Sequence, residues 1–177
     1  MRTPPTLTDG VVVLRALRED DRDAVLRTMR DDVVARWLNM PHNPDAHDFE
    51  SLLRLTRDWR ASGERFDFVV TESGDDVALG AVVASRRHRE NYEITYLAAA
   101  DGRGRGLMTR GVRLVCAWLF GEGVGRIELR THPDNEASQR LAERCGFQRE
   151  GRERQSIWLH GRRADAILWS LLPGEER

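Results

Sequence analysis

The run Arg103-Gly104-Arg105-Gly106-Leu107-Met108 stands between an apolar, strand-like stretch (Ile94 to Ala100) and a helix-like one (Met108 to Phe120). Strand, glycine loop and helix in that order leave backbone N–H groups free at the positive end of a helix, with no side chain to hold a phosphate away. The arrangement suits a diphosphate. Taken alone, the loop also reads as a solvated basic turn, because short glycine patterns match often. Gly102, Gly104 and Gly106 spell G-x-G-x-G, but a dinucleotide fingerprint needs its third glycine three positions after the second. It also needs a parallel first strand, whereas the runs ahead of this loop read as an antiparallel meander.

Those runs are Phe66 to Glu72, Val77 to Ser85 and Tyr92 to Ala100, joined by Ser73-Gly74-Asp75-Asp76 and by the charged stretch Arg86 to Glu90. Upstream, Val11 to Leu14 reads as a strand and Asp20 to Met29 as a helix. A proline-broken loop, Asn39 to Pro44, then precedes a second helix from Asp45 to Trp59, with Phe49, Leu52, Leu53 and Trp59 on one face. Downstream, Met108, Val112, Val115, Cys116 and Leu119 make an apolar stripe that ends at Gly121 and Gly123. Arg126 to Thr131 returns as a strand and Asn135 to Cys145 as a short helix stopped by Gly146. Phe147 to Leu159 and Arg163 to Leu171 flank a tight turn at His160-Gly161-Arg162. The expected fold is one α/β domain with a mixed sheet.

The 177 residues suffice for one sizeable core. All 28 basic side chains are arginine, and 29 acidic ones leave a net charge of -1. Bulk charge therefore disfavours a dedicated nucleic-acid or membrane-surface protein, although the clusters Arg86-Arg87-His88-Arg89 and Arg103-Gly104-Arg105 keep an RNA-binding alternative in view. Cys116 and Cys145 stand far apart, unlike a disulfide framework or paired metal motif, and fit a reducing compartment. With no leader-like or spanning run, the expected location is cytoplasmic. His42 and His47 lie near Asp45 and Asp48, but nothing completes a shell, so no metal is expected. Trp37, Trp59, Trp118 and Trp169, and by analogy Trp158, read as core residues.

A second block, Asn135-Glu136-Ala137-Ser138 through Cys145-Gly146-Phe147, joins the loop in a resemblance to the GNAT superfamily of acyl-CoA-dependent N-acyltransferases. Arg103, Gly106 and Met108 fall on the positions of its Q/R-x-x-G-x-G/A motif, and Asn135, Ser138, Gly146 and Phe147 follow its N-x-x-S/A and G-F pattern. Met108 is larger than the small residue usual there, a departure similar to the branch of ribosomal-protein N-terminal acetyltransferases. The resemblance runs from about Val11 to Leu172. It implies a GNAT-like fold and an acetyl-CoA site, with the amides of Arg103, Gly104, Arg105, Gly106, Leu107 and Met108 on the diphosphate. Leu97, Ala98, Ala99 and Asn135 would then meet the pantetheine arm. From spacing alone, Asn135 is instead a helix cap.

Strand alternation sets Glu93, Thr95 and Leu97 on one face and Tyr92, Ile94 and Tyr96 on the other, so Glu93 can face a cleft. The resemblance makes Glu93 a general base, with a solvated carboxylate as the plain alternative. Thr95 replaces the glycine common in the branch. The tyrosine that many relatives use as general acid corresponds to Ala142, and the branch's scheme points to Ser138 instead. The acceptor pocket is expected to be walled by the stretch Trp37 to Asp48, including Trp37, Leu38, Met40 and His42, and by the last hairpin. The acceptor would be an amine, either small or a protein N-terminus, and a homodimer is implied by the resemblance. A larger donor such as succinyl-CoA, or a catalytically idle acyl-CoA-binding module, fits the same residues.

Overall fold

The structure is a computed structural model, and it describes residues 5–39, 41, 43–88 and 91–175. Its strands are β1 (Leu7–Thr8), β2 (Val12–Arg15), β3 (Arg65–Glu72), β4 (Asp75–His88), β5 (Asn91–Ala98), β6 (Arg126–Thr131), β7 (Gln148–Leu159) and β8 (Arg162–Leu171). The helices are α1 (Arg22–Met29), α2 (Asp32–Trp37), α3 (Ala46–Ser62), α4 (Leu107–Gly121) and α5 (Glu136–Arg144). All eight strands form one sheet in the order β1-β2-β3-β4-β5-β6-β8-β7. Every pairing is antiparallel except β5 with β6. The α4 crossover makes that parallel pair possible, since parallel neighbours cannot be joined by a tight turn.

α4 forms where the sequence expects it because its apolar residues recur at helical spacing with no proline to interrupt them. Met108, Val112, Val115, Cys116 and Leu119 press onto Val12, Leu14, Phe66, Phe68 and Val70, and none of the ten is more than 6% exposed. Burying each large side chain contributes about 1.5–3 kcal/mol, so this helix is fixed against the sheet. A smaller cluster, Leu26, Phe49 and Leu53, packs α1 against α3. Asp45 caps α3, accepting from the His47 and Asp48 amides.

Among the described residues, four short elements escape the sequence reading: β1, α2 and two 3-10 turns, Glu19–Asp21 and Ala100–Gly102, the second following β5, which ends at Ala98 rather than Ala100. β1 has two residues and α2 six, too short for periodicity to register. α2 exists because Asp31 Oδ1 accepts from the Val33 and Val34 amides at 3.0 and 3.1 Å. Among the described residues, no helix is long and apolar enough to cross a membrane.

The feature that positions the site is a split in the sheet. β5 and β6 pair only from Asn91–Arg126 to Ile94–Leu129, and beyond that point they diverge. The last four residues of β5, Thr95 to Ala98, keep β4 on one side and have no strand on the other.

Candidate functional site

The loop after β5 is shaped by two glycines in left-handed conformations, Gly104 (φ 71°) and Gly106 (φ 75°), which side chains other than glycine rarely adopt. Gly106 caps α4 without a side chain, and the first intrahelical bond runs from Arg110 N to Gly106 O. The amides of Leu107, Met108 and Thr109 therefore have no intrahelical acceptor and present an anion-binding helix end. Met108 fits despite its size because it lies over Gly80. A Cβ placed on that glycine would come within 2.8 Å of Met108 Cε.

Arg103 and Arg105 part company. Arg103 lines the cleft and pairs with Asp31, whose carboxyl is held below the usual range by that guanidinium and by the Val34 and Val33 amides, against the opposing effect of burial. Arg105 turns its side chain away onto Glu72 at 2.6 Å, leaving only its backbone for the expected contact.

The open edge of β5 also separates neighbours. Ala99 N donates to Leu79 O at 2.9 Å, so ladder alternation directs the peptide groups of Ala99 and Leu97 to β4. Those of Ala98 and Tyr96 face the gap that β6 has left. Of the expected stretch from Leu97 to Ala99, Ala98 offers backbone hydrogen bonds to a ligand, Leu97 contributes a side chain to the cleft, and Ala99 does not line it.

Glu93 is on the cleft wall and 8% exposed. It is not a solvated carboxylate: Arg87 binds its Oε2, and Arg130 Nη1 lies 3.3 Å from the same atom. Burial works against charge on Arg130, yet Glu153, Glu93 and Glu128 together hold its pKa above the ordinary arginine value. The result is a carboxyl group held in position between two guanidinium groups.

Asn135 caps α5, its Oδ1 accepting from Ser138 N at 3.2 Å, and the residue also lines the cleft. Ser138 lines it too, and Tyr96 Oη donates to Ser138 Oγ at 2.7 Å. Burial pushes the Tyr96 phenol up to about 12, more than the Ser138 bond lowers it. Ala142, where the family resemblance leads one to expect a tyrosine, is fully buried in the core.

These groups meet in one cleft of about 740 Å³, whose far wall is α2 and the tip of the β7–β8 hairpin. Trp37 and Leu38 are on that wall, with Trp37 tilted against His132 at 5.2 Å between ring centroids. Met40 and His42 lie outside the described residues. The hairpin tip is clasped to the end of α2: Asn39 Nδ2 donates to Trp158 O at 2.6 Å, His160 N donates to Asn39 Oδ1 at 2.9 Å, and His160 Nε2 lies 3.2 Å from Arg36 O. Trp158, expected in the core, is instead 57% exposed at the cleft mouth, because it lies near the tip of the edge strand β7, none of whose positions is buried.

Sequence reasoning missed a second feature. A groove of about 480 Å³ is lined by Arg110, Arg113 and Arg144 and shares Gly106, Thr109 and Arg144 with the main cleft. Arg110 pairs with Asp9 at 2.7 Å, and Arg113 Nη2 donates to Arg144 O at 2.5 Å. The signal was present in the spacing of Arg110 and Arg113, which places both on the polar face of α4. The two cysteines stay out of the chemistry. Both are buried, and burial pushes the Cys145 thiol up to about 12. Among the described residues, no group of three or more histidine, cysteine, aspartate or glutamate side chains is placed to hold a metal.

Comparison with known proteins bears on the fold and the family. An uncharacterized N-acetyltransferase, p20, of Bacillus licheniformis is 26% identical over 175 residues, covering 96% of this chain and 97% of its own. The solved structure of Mycobacterium smegmatis RimJ in complex with CoA-disulfide superposes with a TM-score of 0.81 at 21% identity, over 96% of this chain and 86% of that one. The ribosomal-protein-S5-alanine acetyltransferase from Vibrio fischeri gives 0.82 at 22% identity, over 98% and 100%. Residues 12–148 match the acetyltransferase (GNAT) domain family, and the chain belongs to that family of N-acetyltransferases.

Proposed function

We propose that this protein transfers an acetyl group from acetyl-CoA to a primary amine, either the α-amine of a protein N-terminus or that of a small molecule, by direct attack. The observation that carries the reading is the single cleft that joins the α4 amides, the open edge of β5, Glu93 and Ser138. The amides of residues 104–109 receive the diphosphate, rather than the expected 103–108, because Arg103 N already donates to Ala100 O at 3.3 Å; Ala98 pairs with the pantetheine arm, and the arginine groove takes the 3′-phosphoadenosine end. The shared residues Gly106, Thr109 and Arg144 support that continuity.

In the reaction, a backbone N–H of the β5 edge stabilises the oxyanion that develops at the thioester carbonyl. Glu93 attracts the incoming ammonium and takes up its proton through water, and Ser138 donates to the departing sulfur. An α-amine of pKa about 7.8 is roughly one-seventh neutral at pH 7, against about 0.04% for a lysine, so a modest base suffices for the former. The walls Trp37, Leu38 and Trp158 favour an acceptor with an apolar group beside its amine.

Screening amines and N-terminal peptides with acetyl-CoA, following thiol release, tests the reading. Turnover with an α-amine is expected, and tight CoA binding without thiol release across the panel would replace it with a binding module. Glu93→Gln should lower kcat/KM most at low pH, where the amine is most protonated. An unchanged pH profile would remove Glu93 from that role.

A further inference from the structure

The family resemblance places a general-acid tyrosine on the helix corresponding to α5, at a position filled here by the buried Ala142. A different tyrosine reaches the same neighbourhood from the sheet. The chain has two, and Tyr92 spends its hydroxyl on Gly63 O, where it donates at 3.0 Å. Tyr96 donates to Ser138 Oγ at 2.7 Å.

The direction of that bond matters. A phenol is a stronger acid than an alkyl alcohol, so it is the better donor and poorer acceptor, and the pair is most stable with tyrosine donating. Ser138 N is already committed to Asn135 Oδ1. With one lone pair of Oγ occupied by Tyr96, the serine's own hydrogen must point elsewhere, and the residue opens on the cleft. Accepting a hydrogen bond also polarises the serine O–H and makes it a stronger donor. Because burial keeps the phenol protonated at neutral pH, Tyr96 remains a donor and does not ionise.

We infer that Tyr96 is a positioning residue that aims and polarises the Ser138 hydroxyl toward the sulfur of CoA. This rests on the acetyl transfer proposed above. As the C–S bond breaks, its electron pair stays on sulfur, and sulfur takes the Ser138 proton. Ser138 recovers a proton from water in the cleft, and the proton lost by the amine reaches the same water through Glu93. Counted from the neutral amine no net proton is consumed, and the further proton shed by the incoming ammonium is released to solvent.

Two measurements test the inference, one without turnover. The ultraviolet absorbance of bound CoA thiolate, titrated against pH, should give a thiol pKa lower than in Tyr96→Phe by about half a pH unit or more, because a donor aimed at sulfur favours its anion. Ser138→Ala should show the same rise, and the double variant no more. In turnover, Tyr96→Phe should lower kcat about five- to twentyfold, the worth of one such hydrogen bond, with KM for acetyl-CoA unchanged and no further loss in the Ser138→Ala background. CoA affinity by calorimetry, equal in both proteins, shows that the ring still packs. A thiol titration and kcat indifferent to Tyr96→Phe, or losses that simply add, would overturn the inference while leaving acetyl transfer intact. A titration that follows Tyr96 in a protein that acetylates no amine would overturn the transfer reading and leave the positioning in place.

Discussion

The two walls of the cleft are built in opposite ways. On the cofactor side, one contiguous stretch of chain makes the surface: the end of β5, a glycine loop and the first turn of a 15-residue helix whose buried stripe fixes it to the sheet. On the acceptor side, the surface is assembled from segments that meet only in three dimensions. Asn39 holds Trp158 across 119 residues and His160 across 121. Backbone amides on a packed helix suit the diphosphate proposed to bind there, a group shared by every acyl-CoA donor, whereas side chains on a short helix and a hairpin tip can vary without disturbing the core. Asp31 touches both, capping α2 while pairing with Arg103.

If that division is real, the largest effect belongs to the loop. Gly106→Val places a β-branched residue at φ 75° and should lower CoA affinity about a hundredfold by calorimetry. A small loss would mean that the loop amides do not carry the diphosphate. Trp158→Ala, on the other wall, should raise the acceptor KM about tenfold and leave CoA affinity unchanged, with stability within about 0.5 kcal/mol of the parent because the side chain is exposed. A parallel fall in CoA affinity would erase the distinction between the walls.

Arg113→Ala sharpens the cofactor side. It should cut the preference for CoA over dephospho-CoA about fivefold, and an unchanged ratio would move the 3′-phosphate out of the arginine groove. The smallest effect concerns the sheet beneath the acceptor wall. Bonds from Arg126 and Ser170 hold Glu150 at about 2, so its contribution is present above its ordinary value near 4.5 and lost as pH falls toward 2. Glu150→Gln should flatten the stability-versus-pH curve in that window. The side chain is 37% exposed, so the change should stay below about 1 kcal/mol in acid-denaturation curves.

What the sequence makes legible follows the same division. β6 falls on its expected bounds, Arg126–Thr131, and α4 on Leu107–Gly121, within a residue of the reading, because buried periodic faces write themselves into the order of residues. The loop, Ser138, Asn135 and Glu93 are all found in one cleft. Three things were not readable. α2 depends on a cap and six residues, too little for a pattern. The exposure of Trp158 follows from its place near the tip of an edge strand, which local composition does not encode. The bond from Tyr96 to Ser138 joins a strand and a helix 42 residues apart. Alternation put Tyr96 on the face away from Glu93, which is correct, but gave no sign of which helix waits there. The arginine clusters that suggested RNA binding are largely spent internally, Arg87 on Glu93, Arg103 on Asp31 and Arg105 on Glu72.

The parting of β5 from β6 leaves Tyr96 and Ala98 as a short raw edge inside an otherwise continuous sheet. Unpaired edges of this kind invite other extended chains to add themselves. A ligand lying along that edge behaves as a borrowed strand, and any molecule that binds the native fold alone raises its resistance to unfolding by mass action. Depletion of the acyl donor would therefore show first as faster amide exchange at these two positions, before any change in the remainder of the fold.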